Sequence, residues 1–419
     1  MLRFAKSAAI QSPPERPRER HIPLGKAELL AAIAAELKLS EDERREFEQL
    51  RRLLDALIHH DFHERMERLK DTYAPFDPDH ETKRGDFSQS ALEAADVFDQ
   101  LVRLVDQANY RRLDRVAIDE ALQAASDWGI HLHVDLDAFE QLEVFTRGDH
   151  VDHRERRTWR RGFRRETVEV PIYRRLVVIV RRKAAKENIA GKEDIQQRPI
   201  YLKLFKNIPQ MDIDMLLPDT RVRMTWIDQG KIILPTLSGL TLAISKVVMK
   251  GLVIFTIAGT RGLLAFLGLV GGTLGYGLKS FFGYLHTKDK YHLNLTRSLY
   301  YQNLDNNAGV IFRILDEAEL QEFAETLLAY AILWRCDRPE GLTPDELDRR
   351  AETLLLRTVQ DDVDFDLHDA LRKLLAFGLV RRAGNRLVAV PMNEAARELD
   401  EQWDNLFPRL SSLKPPAET

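Results

Sequence analysis

The stretch from Ile232 to Tyr284 constrains this chain more than any other. It is an apolar block with water-soluble sequence on both sides. Gly251–Gly259 and Leu263–Val270 are unbroken runs of apolar or small residues. Neither run reaches the roughly 20 residues that a membrane-crossing helix needs, but the whole block is long enough for two crossings. Thr260-Arg261-Gly262 is a plausible turn between them. The second half carries no charge before Lys279. Its Gly268 and Gly272, like Gly271 and Gly275, stand four apart, which puts a smooth stripe on a helix where another helix can approach. The first half holds Lys246 and Lys250, also four apart and so on one face. A lysine in hydrocarbon costs about 3 kcal/mol, so that face must snorkel or meet water or protein. The expectation is a transmembrane helical hairpin over 232–284. A glycine-rich hairpin buried inside a soluble domain is the alternative.

Composition sets the surroundings of that block. Of 419 residues, 31% are charged and 44% hydrophobic, and the net charge is −4. Mean hydropathy is −0.33, which excludes a multispan transporter. The near-neutral charge demands neither nucleic acid nor anionic lipid. A single cysteine, Cys336, excludes an internal disulfide and a thiolate metal cluster and fits a reducing compartment. It follows an apolar helical stretch, as a half-buried inert thiol does. Met1–Ala9 is short and interrupted by Arg3 and Lys6, and a proline-rich run follows, which reads as a disordered leader over 1–17 rather than a signal peptide. Both termini then face one compartment. Lys279, Lys288 and Lys290 just past the second helix mark that side as cytoplasmic.

Periodicity divides the rest. Residues 18–129 read as a helical region. Ser40 and Glu43 form a capping-box pattern at a helix start, and Tyr73–Thr82 is a rigid proline- and aspartate-rich turn. Ala108-Asn109-Tyr110 closes one helix, and Ala117–Trp128 is expected to form the next. From Ile130 the period changes to two, predicting strands over 131–137, 142–149, 167–173, 176–180, 200–205 and 221–225. Residues 130–231 are thus a small, mostly antiparallel sheet. Residues 285–407 carry helices over Glu317–Arg335, from a Thr343-Pro344 cap, and over Asp366–Leu375. A hairpin turning at Gly384-Asn385 follows. Helix, helix, helix, hairpin is winged-helix order. Residues 408–419 are a tail. The expected fold class is α+β: an N-terminal helical region and small sheet, a transmembrane hairpin and a C-terminal winged-helix-like domain.

Several clusters invite chemistry. His59 and His63 share a helix face at metal-ligand spacing, but His63-Glu64-Arg65-Met66-Glu67 places glutamate where a zinc protease needs its second histidine. A solvated histidine-rich face is the reading adopted. Asp77, Asp79 and Glu81 suit turn chemistry better than a calcium loop, being too closely spaced for an EF-hand. Gly271–Ser280 approaches a phosphate loop, yet Leu278 separates Gly277 from Lys279, which must be adjacent. No catalytic, cofactor or metal residues are assigned, and a non-enzymatic role is expected. Arg154–Arg165 interleaves arginines with Trp159 and Phe163. Trp159, Arg160, Arg161, Arg164 and Arg165 are the candidate contacts to lipid headgroups, ahead of an internal salt-bridged hairpin and of nucleic acid. A DNA-reading helix should be basic on its outer face, whereas the third C-terminal helix has Asp366 and Asp369 and follows Asp361, Asp362 and Asp364. That acidity repels phosphate, so the C-terminal domain is expected to take a protein partner.

Tyr73–Asp79, Ala108–Tyr110, Leu202–Asp212, Lys279–Tyr284, Tyr300–Gly309 and Trp403–Phe407 together resemble a family of unknown function that includes transmembrane protein 143 of animal mitochondria. The resemblance runs from about Arg18 to Phe407. It implies a membrane protein with two apolar helices and implies no activity. The expected function is a membrane-anchored interaction or scaffold protein, in a bacterial inner membrane or alternatively a mitochondrial one. A membrane-tethered nucleic-acid-binding regulator and a lipid-acting membrane enzyme are the rival readings.

Overall fold

The computed structural model describes residues 18–79, 91–118, 132–133, 138–157, 165–183, 199–210, 213, 216, 221–222 and 301–407. Two helices open the fold, α1 (Lys26–Glu36) and α2 (Glu41–Tyr73). The capping box at Ser40 forms as its sequence predicts: the Ser40 hydroxyl accepts from the Glu43 amide and the Glu43 carboxylate accepts from the Ser40 amide. Along α2, Leu50, Leu54, Leu57 and Ile58 recur on one face and are buried. Tyr73, its last residue, donates its hydroxyl to the Ile200 carbonyl at 2.8 Å and so ties the helix to the sheet. Helix α3 (Ala91–Gln107) buries Ala94, Val97, Phe98, Leu101 and Val105. Two residues past its end, Asn109 takes φ +58, a conformation that asparagine tolerates better than most residues.

The main sheet is antiparallel throughout, in the order β1-β3-β4-β5-β7. Its strands are β1 (Arg111–Arg112), β3 (Phe139–Arg157), β4 (Arg165–Arg182), β5 (Ile200–Pro209) and β7 (Asn303–Asn306). A separate pair joins β2 (Leu132–His133) to β6 (Arg221–Val222). The two strands expected at 167–173 and 176–180 are one continuous strand, because β3 pairs with β4 through the polar Arg174-Arg175 junction. The apolar run Leu176–Val180 is buried on both faces. Val177 and Ile179 face the helices, while Leu176 and Val178 join a second cluster with Val144, Phe205 and Ile208.

Helix α4 (Ala308–Trp334) is the axis of the helical layer. An amphipathic helix over Glu317–Arg335 was the expectation. The helix begins earlier, and from Phe323 to Leu333 every residue is buried, because α1, α2, α3, α5, α6 and the sheet surround it. Next come α5 (Pro344–Val359), α6 (Leu367–Ala376), the hairpin β8 (Val380–Ala383) with β9 (Arg386–Ala389), and α7 (Met392–Asp404). Gly384 takes φ +65 as first central residue of the hairpin turn, where a side chain would be strained. Leu342 adds a single antiparallel bridge to Leu387. One hydrophobic cluster runs through both ends of the chain, from Ile22 and Leu54 to Leu374 and Leu399.

The expected fold class needs correction. The described architecture is α+β with a five-stranded antiparallel sheet, and among the described residues no helix is long and apolar enough to cross a membrane. The longest described helices are charged, as α2 is, or largely enclosed by protein, as α4 is. The transmembrane hairpin expected over 232–284 lies outside the described residues.

Candidate functional site

The densest polar constellation lies where residues 18–22 cross the molecule as an extended strap. Local sequence gives these residues no helix or hairpin, so their backbone groups find partners far along the chain. Glu19 pairs with Val363 in a parallel bridge, with the Asp364 amide donating to the Glu19 carbonyl at 2.7 Å. Gln321 of α4 serves both polar groups of Ile22: the Ile22 amide donates to Oε1 at 2.7 Å, and Nε2 donates to the Ile22 carbonyl at 3.1 Å. The Asn109 side chain donates to the Arg20 carbonyl at 3.1 Å.

Charge follows the same line. The Arg18 guanidinium reaches Glu352 at 2.8 Å, Asp362 at 3.0 Å and the Val363 carbonyl at 2.9 Å. Arg20 donates to Asp366 at 3.0 Å and lies 3.6 Å from Asp106. Glu19 points the other way, toward β3, and accepts from the amides of Gly148 at 3.1 Å and Asp149 at 2.6 Å. Gly148 takes φ +76, which lets successive amides converge on one anion, a turn of the backbone that a side chain would strain. Burial alone would push the Glu19 carboxyl up; the bonds from His21, Asp149 and Gly148 outweigh it and hold it at about 2.

Behind the strap sits a buried acid. Burial pushes Glu325 well above the usual carboxylate range, and Asp366 and Asp369 add to this against the Asn109 hydrogen bond and Arg20. Its Oε1 accepts from Asn109 Nδ2 at 2.5 Å, so Asn109 joins Glu325 to the strap. Nearby, Glu317 gathers Tyr110 at 2.7 Å and Arg147 at 2.8 Å, and the Arg147 guanidinium stacks over the Tyr110 ring. A small pocket opens beside the strap, and the Thr146 hydroxyl, buried at its edge, has no protein partner. These groups grip a peptide segment. They do not set a nucleophile against a base.

The residues singled out from sequence lie elsewhere. Gly268, Gly271, Gly272 and Gly275 are outside the described residues, as are Trp159, Arg160, Arg161 and Arg164. Arg165 is the first residue of β4 and pairs with Arg157. His59 binds Glu319 at 3.0 Å, His60 packs edge-on against Trp403 and Phe407, and His63 is exposed. Among the described residues no three metal-capable side chains converge. Asp77 accepts from the Asp79 amide, the turn chemistry read from its sequence. Glu81 and the near phosphate loop lie outside the described residues. Cys336 is half-buried.

Sequence reasoning missed the strap, Gln321, Asn109 and Glu325 as a group. The one legible hint was the pairing of Arg18-Glu19-Arg20 with the acidic run from Asp361 to Asp366. It also left Tyr300–Asn307 without a role. There Asn303–Asn306 is the fifth strand, and Asn307 binds Leu202 twice, amide to carbonyl at 2.8 Å and Oδ1 from amide at 3.2 Å, while its Nδ2 donates to Asp79 at 2.5 Å. No solved structure matches the chain. Residues 173–309, which hold part of β4, all of β5 and β7 and the start of α4 but not the strap, match a protein family described only as a protein of unknown function (DUF3754).

Proposed function

We propose that the chain is a non-enzymatic interaction or scaffold protein whose C-terminal helices and hairpin form its partner-binding module. The order α4, α5, α6 and the β8–β9 hairpin, with Leu342 bridging to Leu387, supports a winged-helix-like reading of that module. One observation carries the proposal: the acidic loop entering α6 is occupied by Arg18 and Arg20 of the chain itself. A DNA-reading module would present phosphate-binding groups there. Kinship with the transmembrane protein 143-like family is part of the same proposal and rests on the sequence motifs at Leu202–Asp212, Lys279–Tyr284 and Tyr300–Gly309.

The test is chemical crosslinking of the full chain in its native cells, followed by mass spectrometry. Recurrent crosslinks from one protein to residues 340–407 are the expected result. Duplex DNA binding that weakens steeply with salt would favour the regulator reading and sink this one.

A further inference from the structure

We infer that the acidic groove holding residues 18–22 is a receptor for an extended Arg-x-Arg segment of a partner protein, and that the chain's own strap fills it as a displaceable stand-in. This rests on the interaction reading above. The grip on the strap is of the kind used for peptides. Bonds from the Asp364 amide and the Asn109 and Gln321 side chains hold the strap's backbone whatever its side chains, and two sets of carboxylates meet arginines two residues apart.

The groove is more acidic than its occupant is basic. Asp106, Asp348, Glu352, Asp362, Asp364 and Asp366 surround Arg18 and Arg20. Asp348 shows the surplus, since burial and then the Glu352 and Asp364 charges push its carboxyl up despite Arg18. A segment richer in arginine or lysine would satisfy the groove better than the strap does.

The outer end of the strap, at Arg18, is its least firmly held part. Arg18 is 39% exposed and its partner Asp362 66%, a setting in which ion pairs contribute little. Ile22 is the single fully buried apolar anchor of the segment. Covalent linkage adds to the strap's main-chain bonds a high local concentration that a free competitor must overcome.

The experiment uses the full chain and a fluorescent peptide with the sequence of residues 17–24. The Arg18→Ala/Arg20→Ala chain should bind this peptide at least about tenfold more tightly than the parent, whose strap competes in cis. Binding should fall with salt and vanish when both peptide arginines are replaced by alanine. In the parent chain, excess peptide should speed hydrogen exchange at the Ile22 amide while the Asp364 amide stays protected. This second readout holds even if the double variant folds poorly. An Ile22 amide that stays protected at saturating peptide overturns the inference, because the strap is then a fixed element of the fold. A concentration-dependent dimer of the parent that the double substitution abolishes overturns it too, since the groove then takes the strap of a second copy. If the peptide fails while crosslinks still map to residues 340–407, only this inference falls. DNA binding in its place would remove both.

Discussion

Asn307 shows how much one residue carries. It sits at φ +47 and ψ −122, where only glycine is comfortable, and it is held there by Leu202 on both polar groups and by Asp79. Such backbone strain costs about 1–3 kcal/mol and persists only where neighbours over-determine it. Asn307→Ala should lower unfolding free energy by about 3 kcal/mol, since it keeps the strain and leaves buried partners unpaired. Asn307→Gly should cost about 1 kcal/mol less, because it relieves the strain. Equal urea midpoints for the two would show that the conformation is unstrained. The two strap-linked acids give opposite pH dependences. Glu19 is held down at about 2, so its contribution is present above the ordinary glutamate range and is lost as pH falls toward that value. Glu325 is pushed up, so its contribution is complete below its ordinary pKa and is lost as pH rises through the raised one. Glu325→Gln should therefore leave acid stability unchanged and raise the unfolding midpoint above neutral pH. A variant whose urea midpoint tracks the parent at every pH would refute this.

Elements are joined by a few buried polar contacts. Lys373 on α6 lies 2.8 Å from Asp61 on α2 and 2.5 Å from Glu322 on α4. Burial pulls the Lys373 ammonium down. Burial would raise Asp61, yet the Lys373 bond holds its carboxyl low, and with two carboxylates so close the charged form is the one that stands. Lys373→Ala strands the buried Glu322, while Asp61 keeps Arg65 at 3.3 Å, and should cost about 3 kcal/mol. Replacing all three with apolar residues of similar volume should recover most of that loss, as read by denaturant unfolding. At the start of α5, the Thr343 hydroxyl accepts from the Glu346 amide, and the Glu346 carboxylate, bound by the Thr343 amide and then by Arg338, sits at about 2. Thr343→Ala should cost about 1 kcal/mol, measured the same way.

At the scale of the molecule, the N-terminal and C-terminal helices share one core. Leu54 of α2 and Leu374 of α6 belong to the same buried cluster, and α2 packs along both α4 and α7. A cavity opened in α2 should therefore loosen α6. Leu54→Ala should cost about 2–5 kcal/mol. Hydrogen exchange across residues 367–376 should then rise together with exchange in α2. Protection in α6 that survives the substitution would mean that the two ends unfold as separate units.

The elements legible in the sequence were those made by near neighbours. Ser40 with Glu43, Thr343 with Glu346, the alternation along β3 and β5, and the Gly384 turn are set by residues a few positions apart, and each formed where the chain announced it. The strap could not be read this way. Its partners Gln321 and Val363 lie 299 and 345 positions along the chain, and an extended segment without hydrogen bonds of its own carries no periodicity that announces it. The enclosure of α4 and the recruitment of Asn303–Asn306 as a fifth strand have the same origin. Periodicity shows which face of an element is apolar, but only the assembled neighbours decide how many faces are covered. The apolar block at 232–284, read from composition as a membrane hairpin, lies outside the described residues; the described helices and sheet satisfy their apolar faces against one another, and none of those helices is long and apolar enough to cross a membrane.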